Sequence, residues 1–449
     1  MPLPPPPAFD CEARVRQVPW ESLAGLGPAL DAPLGEVLSG APAERVLDRF
    51  LRRLGPLTGP ARAAVSEAIF GVGLWRRRLR AQLALPQAPP RLLLASLIRD
   101  LGGRASAGEI VSLDPPALPR PRPAPEGLAD RFSLPDWLAD EIVRAAGAEA
   151  PALADALDRP GPLCLRPNLL RTTPEALAGR LAAEGVATSP GRLVPTCRIA
   201  TGRANVYGLA AHREGLFEVQ DEGSQLLGML VEARPGEVVL DACAGAGGKS
   251  LLLAAAVGAA GRVHAVDPDA ARLVRLRARA ARAGAEDIVA IGGALPPVGQ
   301  GERWGSRMWL PRCERGDRGG RLLGPPGVVV DRALVDAPSS ELGALRRGPD
   351  LRWRMDPSAF GALPARQGEI LARAAAGVRA GGRLVYATCT FRAEEDEGVA
   401  VEFERAHPGF RRIHPALAGE ALTPEGFVRT WPHRHGTDGF FAAVWEKAS

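Results

Sequence analysis

The sequence predicts an α/β protein. A mostly parallel sheet with helices on both faces follows a small α+β segment and an all-α N-terminal region. Three observations lead there. From about residue 213 strand-like and helix-like stretches alternate, residues 43–101 carry apolar side chains at helical spacing, and prolines at 115, 116, 119, 121, 123 and 125 separate the two regimes. Alternation of that kind marks a parallel sheet with crossover helices, and a proline cluster makes a stiff linker.

In chain order, Val46, Leu47, Phe50, Leu51 and Leu54 define one apolar helix face. Val65 and Ile69 begin a second helix that ends in Trp75-Arg76-Arg77-Arg78-Leu79-Arg80, and residues 91–101 form a third. Residues 1–114 are thus expected to be a helical domain, 115–127 a linker, 128–212 a small α+β domain and 213–449 the α/β domain. Within 128–212, Leu165-Arg166-Pro167-Asn168 reads as a strand end, and residues 173–184 as a helix with Pro174 in its first turn. In the last domain strands are expected at 238–240, 263–266, 288–291, 328–335 and 384–386. Helices are expected at 249–259, 269–283, 359–378 and 393–406, with a closing hairpin from 428–431 and 440–445. Residues 296–327, with arginines at 303, 307, 312, 315, 318 and 321, read as a long loop, either disordered or in contact with a nucleic-acid backbone.

A chain of 449 residues exceeds one ordinary core, and 46% hydrophobic with 24% charged residues is a globular balance. The net charge of +5 permits an anionic partner without demanding one. Only two of the 56 basic residues are lysine, which draws attention to Lys249 in a glycine-rich turn. Cys11, Cys164, Cys197, Cys243, Cys313 and Cys389 form no CxxC pair and no zinc spacing, so neither a metal nor a disulfide framework is expected. The N-terminus lacks a signal-peptide core, and the longest apolar run, 251–260, is about half a membrane span. The expectation is a reduced, soluble, cytoplasmic monomer with no membrane partner.

The most specific segment runs Val238-Val239-Leu240-Asp241-Ala242-Cys243-Ala244-Gly245-Ala246-Gly247-Gly248-Lys249-Ser250: a strand, a glycine-rich turn and a helix start. Glycines let the backbone approach a ligand, and a helix N-terminus offers unpaired amides to a carboxylate or phosphate. The next strand ends in Asp267, placed to accept ribose hydroxyls. A P-loop is excluded because Cys243 stands where its first glycine belongs, and Ser250 breaks the dinucleotide pattern. S-adenosylmethionine remains, bound by Cys243, Ala244, Gly245, Ala246, Gly247, Gly248, Lys249, Asp267 and Asp336.

Two later strand ends carry chemistry: Asp336-Ala337-Pro338-Ser339-Ser340 and Ala387-Thr388-Cys389-Thr390. Together with Val219 to Gln225, Leu345 to Asp350, Glu394 to Glu397 and Thr437 to Phe441, these segments resemble the RsmB/Sun (Fmu) family of RNA cytosine-C5 methyltransferases. The resemblance implies a class I Rossmann-like methyltransferase domain, a small RNA-binding domain that begins near Leu165-Arg166-Pro167-Asn168, and a NusB-like helical N-terminus. It implies ribosomal RNA as partner, with no DNA expected, since the nucleophile of DNA cytosine methyltransferases follows a proline and Pro338 is followed by serine.

It also implies roles. Cys389 would add to C6 of the base, Asp336 would bond the base edge, and Lys249 would face the base or the cofactor carboxylate. The family's second cysteine, which assists release, is Ser339 in this chain. Ala246 stands where the turn usually has proline, and Gly293 where the third strand usually ends in an aspartate. These departures leave a non-methylating RNA-binding or assembly factor as the alternative. A methyltransferase acting on protein or a small molecule is the other rival. Among basic clusters, Arg76–Arg80 is the candidate for RNA phosphates. Arg346 and Arg347 are candidates to hold the RNA backbone or the catalytic loop, while Arg272, Arg275, Arg279 and Arg282 read as a solvated helix face.

Overall fold

A computed structural model describes residues 11–115, 118–202, 204–293 and 329–449. The arginine-rich loop expected at 296–327, and the first residue of the strand expected from 328, lie outside them.

Two compact units emerge. One holds Gly161–Ala344 and Ser358–Ser449; the other holds the described residues from 11 to 160 together with Leu345–Pro357. Compactness therefore divides the chain neither at the proline-rich stretch 115–127 nor at residue 212. The segment 128–212 contributes to both units: its helices Asp136–Ala146 and Ala150–Leu157 fall in the helical unit and its strands in the other. The reason is specific bonding. Arg77 holds Asp130, Asp136 and the carbonyl of Leu134, and Arg352 holds Asp158 across 2.7 Å with both side chains fully buried.

The helical unit is built on Ala43–Leu54 and Gly59–Leu83, which pack with Pro90–Ser96 around Trp20, Leu34, Val46, Phe50, Ile69, Trp75 and Leu93. The expected apolar faces are the buried ones. Thr58 caps the long helix by accepting from the amide of Ala61, which satisfies one of the donors a helix start leaves open.

The other unit contains two sheets. The small one is antiparallel, in the order β2-β3-β1-β4, from β1 (Cys164–Pro167), β2 (Thr188–Pro190), β3 (Arg198–Ala200) and β4 (Phe217–Val219). The expected helix follows β1 at Pro174–Ala183, capped by Thr173. The large sheet has the order β10-β12-β9-β8-β5-β6-β7, with β11 beside β12. Its strands are β5 (Val238–Asp241), β6 (Arg262–Val266), β7 (Val289–Gly292), β8 (Val330–Asp336), β9 (Val378–Thr388), β10 (Phe410–Arg412), β11 (Val428–Thr430) and β12 (Phe440–Lys447). Strands β5 to β9 are parallel, and β10 to β12 close one edge antiparallel. Neighbouring residues alternate between two cores, as strand geometry requires. Val239, Leu334 and Val385 face Leu251 and Leu276 on one side, while Leu240, Val335 and Leu384 face Leu371 and Phe403 on the other.

One expected helix starts late. The segment from 393 becomes helical only at Glu397–Ala406, because Glu395 and Asp396 are fully buried and bonded to the neighbouring strand ends. Among the described residues no helix is long and apolar enough to cross a membrane.

Candidate active site

The strand order reverses at β5, which has β6 on one flank and β8 on the other. The crevice beyond the carboxyl ends of such strands is where open α/β sheets bind ligands. Asp241 ends β5, Asp336 ends β8, and Thr388 ends β9 with Cys389 next.

The glycine-rich turn leaves β5 and enters the helix Gly248–Val257. Gly245 and Gly247 adopt φ of 52° and 87°, a region that favours glycine. A side chain at Gly247 would also meet Leu276 at 2.0 Å. The amide of Ala244 bonds the Val266 carbonyl at 2.9 Å and that of Gly247 the Ala244 carbonyl at 2.8 Å. The first-turn amides of Gly248, Lys249 and Ser250 have no acceptor within the helix. Cys243, on the turn, is partly buried, and burial raises its thiol pKa.

Asp267 is buried at the end of β6, where the sequence puts it. One carboxylate oxygen accepts from the Gly245 amide at 2.9 Å and the other from the Asp269 amide at 2.8 Å. It braces the turn while each oxygen keeps a further lone pair. β7 ends at Gly292, with Gly293 following and no acid there.

Asp241 was not singled out from sequence. It is buried, accepts from the Ser250 hydroxyl at 2.7 Å, and has its pKa raised to about 6 by burial, with the Asp336 charge adding to the effect. Its position as the last strand residue before the turn was the available signal.

Lys249 and Asp336 form an ion pair at 2.7 Å, and Lys249 is 9% exposed. The ammonium also lies 5.8 Å from the centre of the Phe440 ring. Cys389 is partly buried, with its sulfur 3.4 Å from the Ser339 hydroxyl. Burial pushes its thiol up to about 12, with Glu341 and Asp336 adding and Ser339 and Lys249 opposing. Lys249, Asp336, Ser339 and Cys389 thus meet at one end of the sheet.

The loops that carry them are cross-linked underneath. The hydroxyls of Ser340 and Thr390 share a hydrogen bond of 2.8 Å. One Glu395 oxygen accepts from the Ser340 amide at 2.9 Å and from Gln367 at 3.0 Å, and Gln367 also donates to the Pro338 carbonyl. The Cys389 carbonyl accepts from the Gly343 amide. Within the acidic run 394–397, read from sequence only as part of a motif, Glu395 is this brace and Asp396 accepts from the Thr388 hydroxyl.

The candidate RNA-phosphate cluster is corrected. Arg76 is buried against the carbonyls of Val37 and Gly73, Arg77 is paired with two aspartates, and Arg78 lies over Trp75. Arg346 is buried, and both it and Arg347 belong to the helical unit. The helix face read as solvated is partly structural, since Arg279 and Arg282 both hold the buried Glu218. Among the described residues no cluster of His, Cys, Asp and Glu could hold a metal.

Comparison with known proteins adds two matches. Residues 228–446 match the family described as 16S rRNA methyltransferase RsmB/F. Residues 134–206 match the ferredoxin-like domain of RsmF/B-like methyltransferases. The probable ribosomal RNA small subunit methyltransferase B of Synechocystis sp. is 31% identical over 328 residues, covering 72% of this chain and 68% of that one. The ribosomal RNA small subunit methyltransferase B of Sodalis glossinidius is 29% identical over 440 residues, covering 94% and 93%. The crystal structure of PH0851 superposes with a TM-score of 0.70 at 25% identity, over 97% of this chain and 99% of that one.

Proposed function

The chain belongs to the 16S rRNA methyltransferase RsmB/F family, and from that premise we propose that it methylates C5 of cytosine in ribosomal RNA through a covalent bond from Cys389 to C6 of the base. S-adenosylmethionine, the cofactor of the family, supplies an electrophilic methyl group when bound. The residues present suit it: Gly245 and Gly247 supply the positive φ angles of the turn, the first-turn amides of the helix Gly248–Val257 suit a carboxylate, and Asp267 has lone pairs for hydroxyls.

The observation that carries the reading is the convergence of Cys389, Asp336 and Lys249 at adjacent strand ends beside that turn. Cytosine C5 is a poor nucleophile. Addition of the Cys389 sulfur to C6 consumes the C5–C6 double bond and passes its electron pair to C5, giving a C4–C5 enamine that is nucleophilic at C5. Asp336, held by Lys249, bonds the polar edge of the base and steadies the charge that develops on it. Once C5 carries the methyl group, its proton leaves, the C5–C6 double bond re-forms and the Cys389 sulfur is expelled. Ser339 is the hydroxyl in hydrogen-bonding range of that sulfur. The target base must leave its stack to reach Cys389, and we assign RNA contact to the segment 128–212.

The departures at Ser339 and Gly293 favour a second reading, an RNA-binding factor that does not methylate. One assay separates the two. Methyl transfer from labelled S-adenosylmethionine to small-subunit ribosomal RNA, with the product nucleoside identified, should give 5-methylcytidine and should vanish in Cys389→Ala. Tight RNA binding with no transfer would establish the second reading.

A further inference from the structure

The turn is gripped from behind by two arginines that the proposed chemistry does not use. Arg166, buried on β1, donates from one guanidinium nitrogen to the carbonyl of Gly248 and the side-chain oxygen of Gln220. Arg279, on the helix Ala270–Ala283, donates to the carbonyl of Ala246 at 2.8 Å. Glu218 stands directly opposite Arg166 in the β1–β4 register, and one of its oxygens accepts from Nε and Nη2 of Arg279 at 3.1 and 2.8 Å. Arg282 occupies its other oxygen.

A trans peptide is planar, with its C=O and N–H pointing in opposite directions. Fixing the Gly248 carbonyl therefore fixes the aim of the Lys249 amide, a first-turn donor without an intrahelical acceptor. Fixing the Ala246 carbonyl likewise fixes the Gly247 amide, whose bond to the Ala244 carbonyl closes the turn. Both carbonyl dipoles are also held on arginine, away from an approaching anion.

We propose that Arg166 and Arg279 are positioning residues for the carboxylate of the cofactor's amino-acid group: Arg166 aims the Lys249 amide at it, and Arg279, held by Glu218, keeps the turn closed behind that amide. This rests on reading the turn as the S-adenosylmethionine site. Arg166 arrives from the small sheet, so the ferredoxin-like part of the chain contributes to cofactor recognition as well as standing beside it in sequence.

The test compares two ligands by calorimetry on the full chain: S-adenosylhomocysteine, which has the carboxylate, and 5′-methylthioadenosine, which lacks it. In Arg166→Met and Arg279→Met the dissociation constant for the first should rise roughly tenfold, the scale of one charge-assisted hydrogen bond. That for the second should stay near the wild-type value. In turnover the KM for the cofactor rises while kcat at saturation is retained. Arg279 is partly exposed, so its variant carries the test should Arg166→Met fail to fold, and Glu218→Gln should reproduce the effect more weakly. Equal weakening of both ligands, or of neither, overturns the positioning role and leaves the site reading intact. A wild-type chain that binds neither ligand overturns both.

Discussion

The Ser339 hydroxyl stands 3.4 Å from the Cys389 thiol, joining the loops that follow β8 and β9. A hydroxyl is a far weaker acid than a thiol, so it supports the sulfur without matching what a second thiol would do when the sulfur has to leave. In the reaction proposed above, serine at this position bears on release of the base.

The first prediction follows directly. On denaturing gels the wild-type chain should carry a covalent adduct with unmodified substrate RNA. The adduct should be absent in Cys389→Ala and depleted in Ser339→Cys, whose turnover should rise by about a hundredfold, the lower end of what a positioned proton donor contributes. Identical adduct levels in the native chain and Ser339→Cys would refute a release defect.

Adduct formation should also depend steeply on pH. The thiolate is the nucleophile, and burial, with Glu341 and Asp336, pushes the Cys389 thiol up to about 12. Below that value the thiolate fraction grows about tenfold per pH unit. The single-turnover rate should therefore climb with a slope near one between about pH 6.5 and 8.5. A plateau near neutrality would mean that bound substrate lowers the thiol pKa, against this expectation.

Lys249 and Asp336 are partners at 2.7 Å, so removing either leaves the other's charge in a largely buried place. Lys249→Met and Asp336→Asn should each lower kcat/KM by about a hundredfold or more, while circular dichroism stays native. Activity within about threefold of wild type in Asp336→Asn would exclude Asp336 from base recognition.

In the helical unit, Arg352 donates to Asp158 at 2.7 Å and to the carbonyl of Phe132, with both charged side chains fully buried. Burial raises the Asp158 pKa to about 6, against the pull of Arg352. Arg352→Met should destabilise this unit by about 3–5 kcal/mol, the usual cost of orphaning a buried charge. Adding Asp158→Leu should recover most of it. Urea unfolding measures both, and additive losses would refute direct coupling.

How much was visible in the sequence depended on how local its cause was. The glycine-rich turn, the acid that follows β6 and the strand ends at Asp336 and Thr388 were legible as geometry, because each rests on residues close together in sequence. So were the apolar faces around Val46 and Ile69, since periodicity reports burial directly. Arg76 and Arg78 misled for the opposite reason. Arginines in sequence look like a surface, and only distant groups, the Val37 carbonyl for Arg76 and the Arg131 carbonyl for Arg78, turn these inward. Arg166 was read only as part of a strand end, because its acceptor at Gly248 lies far along the chain. The late helix start at Glu397 has the same origin, in bonds from Glu395 and Asp396 to loops that local pattern cannot see.

Leu345–Pro357 belongs to the helical unit although both of its flanks belong to the other. Cutting the chain after Pro160 would therefore not yield two self-sufficient fragments. The front piece would lack Arg352, and the back piece would keep an arginine whose counter-ion had gone.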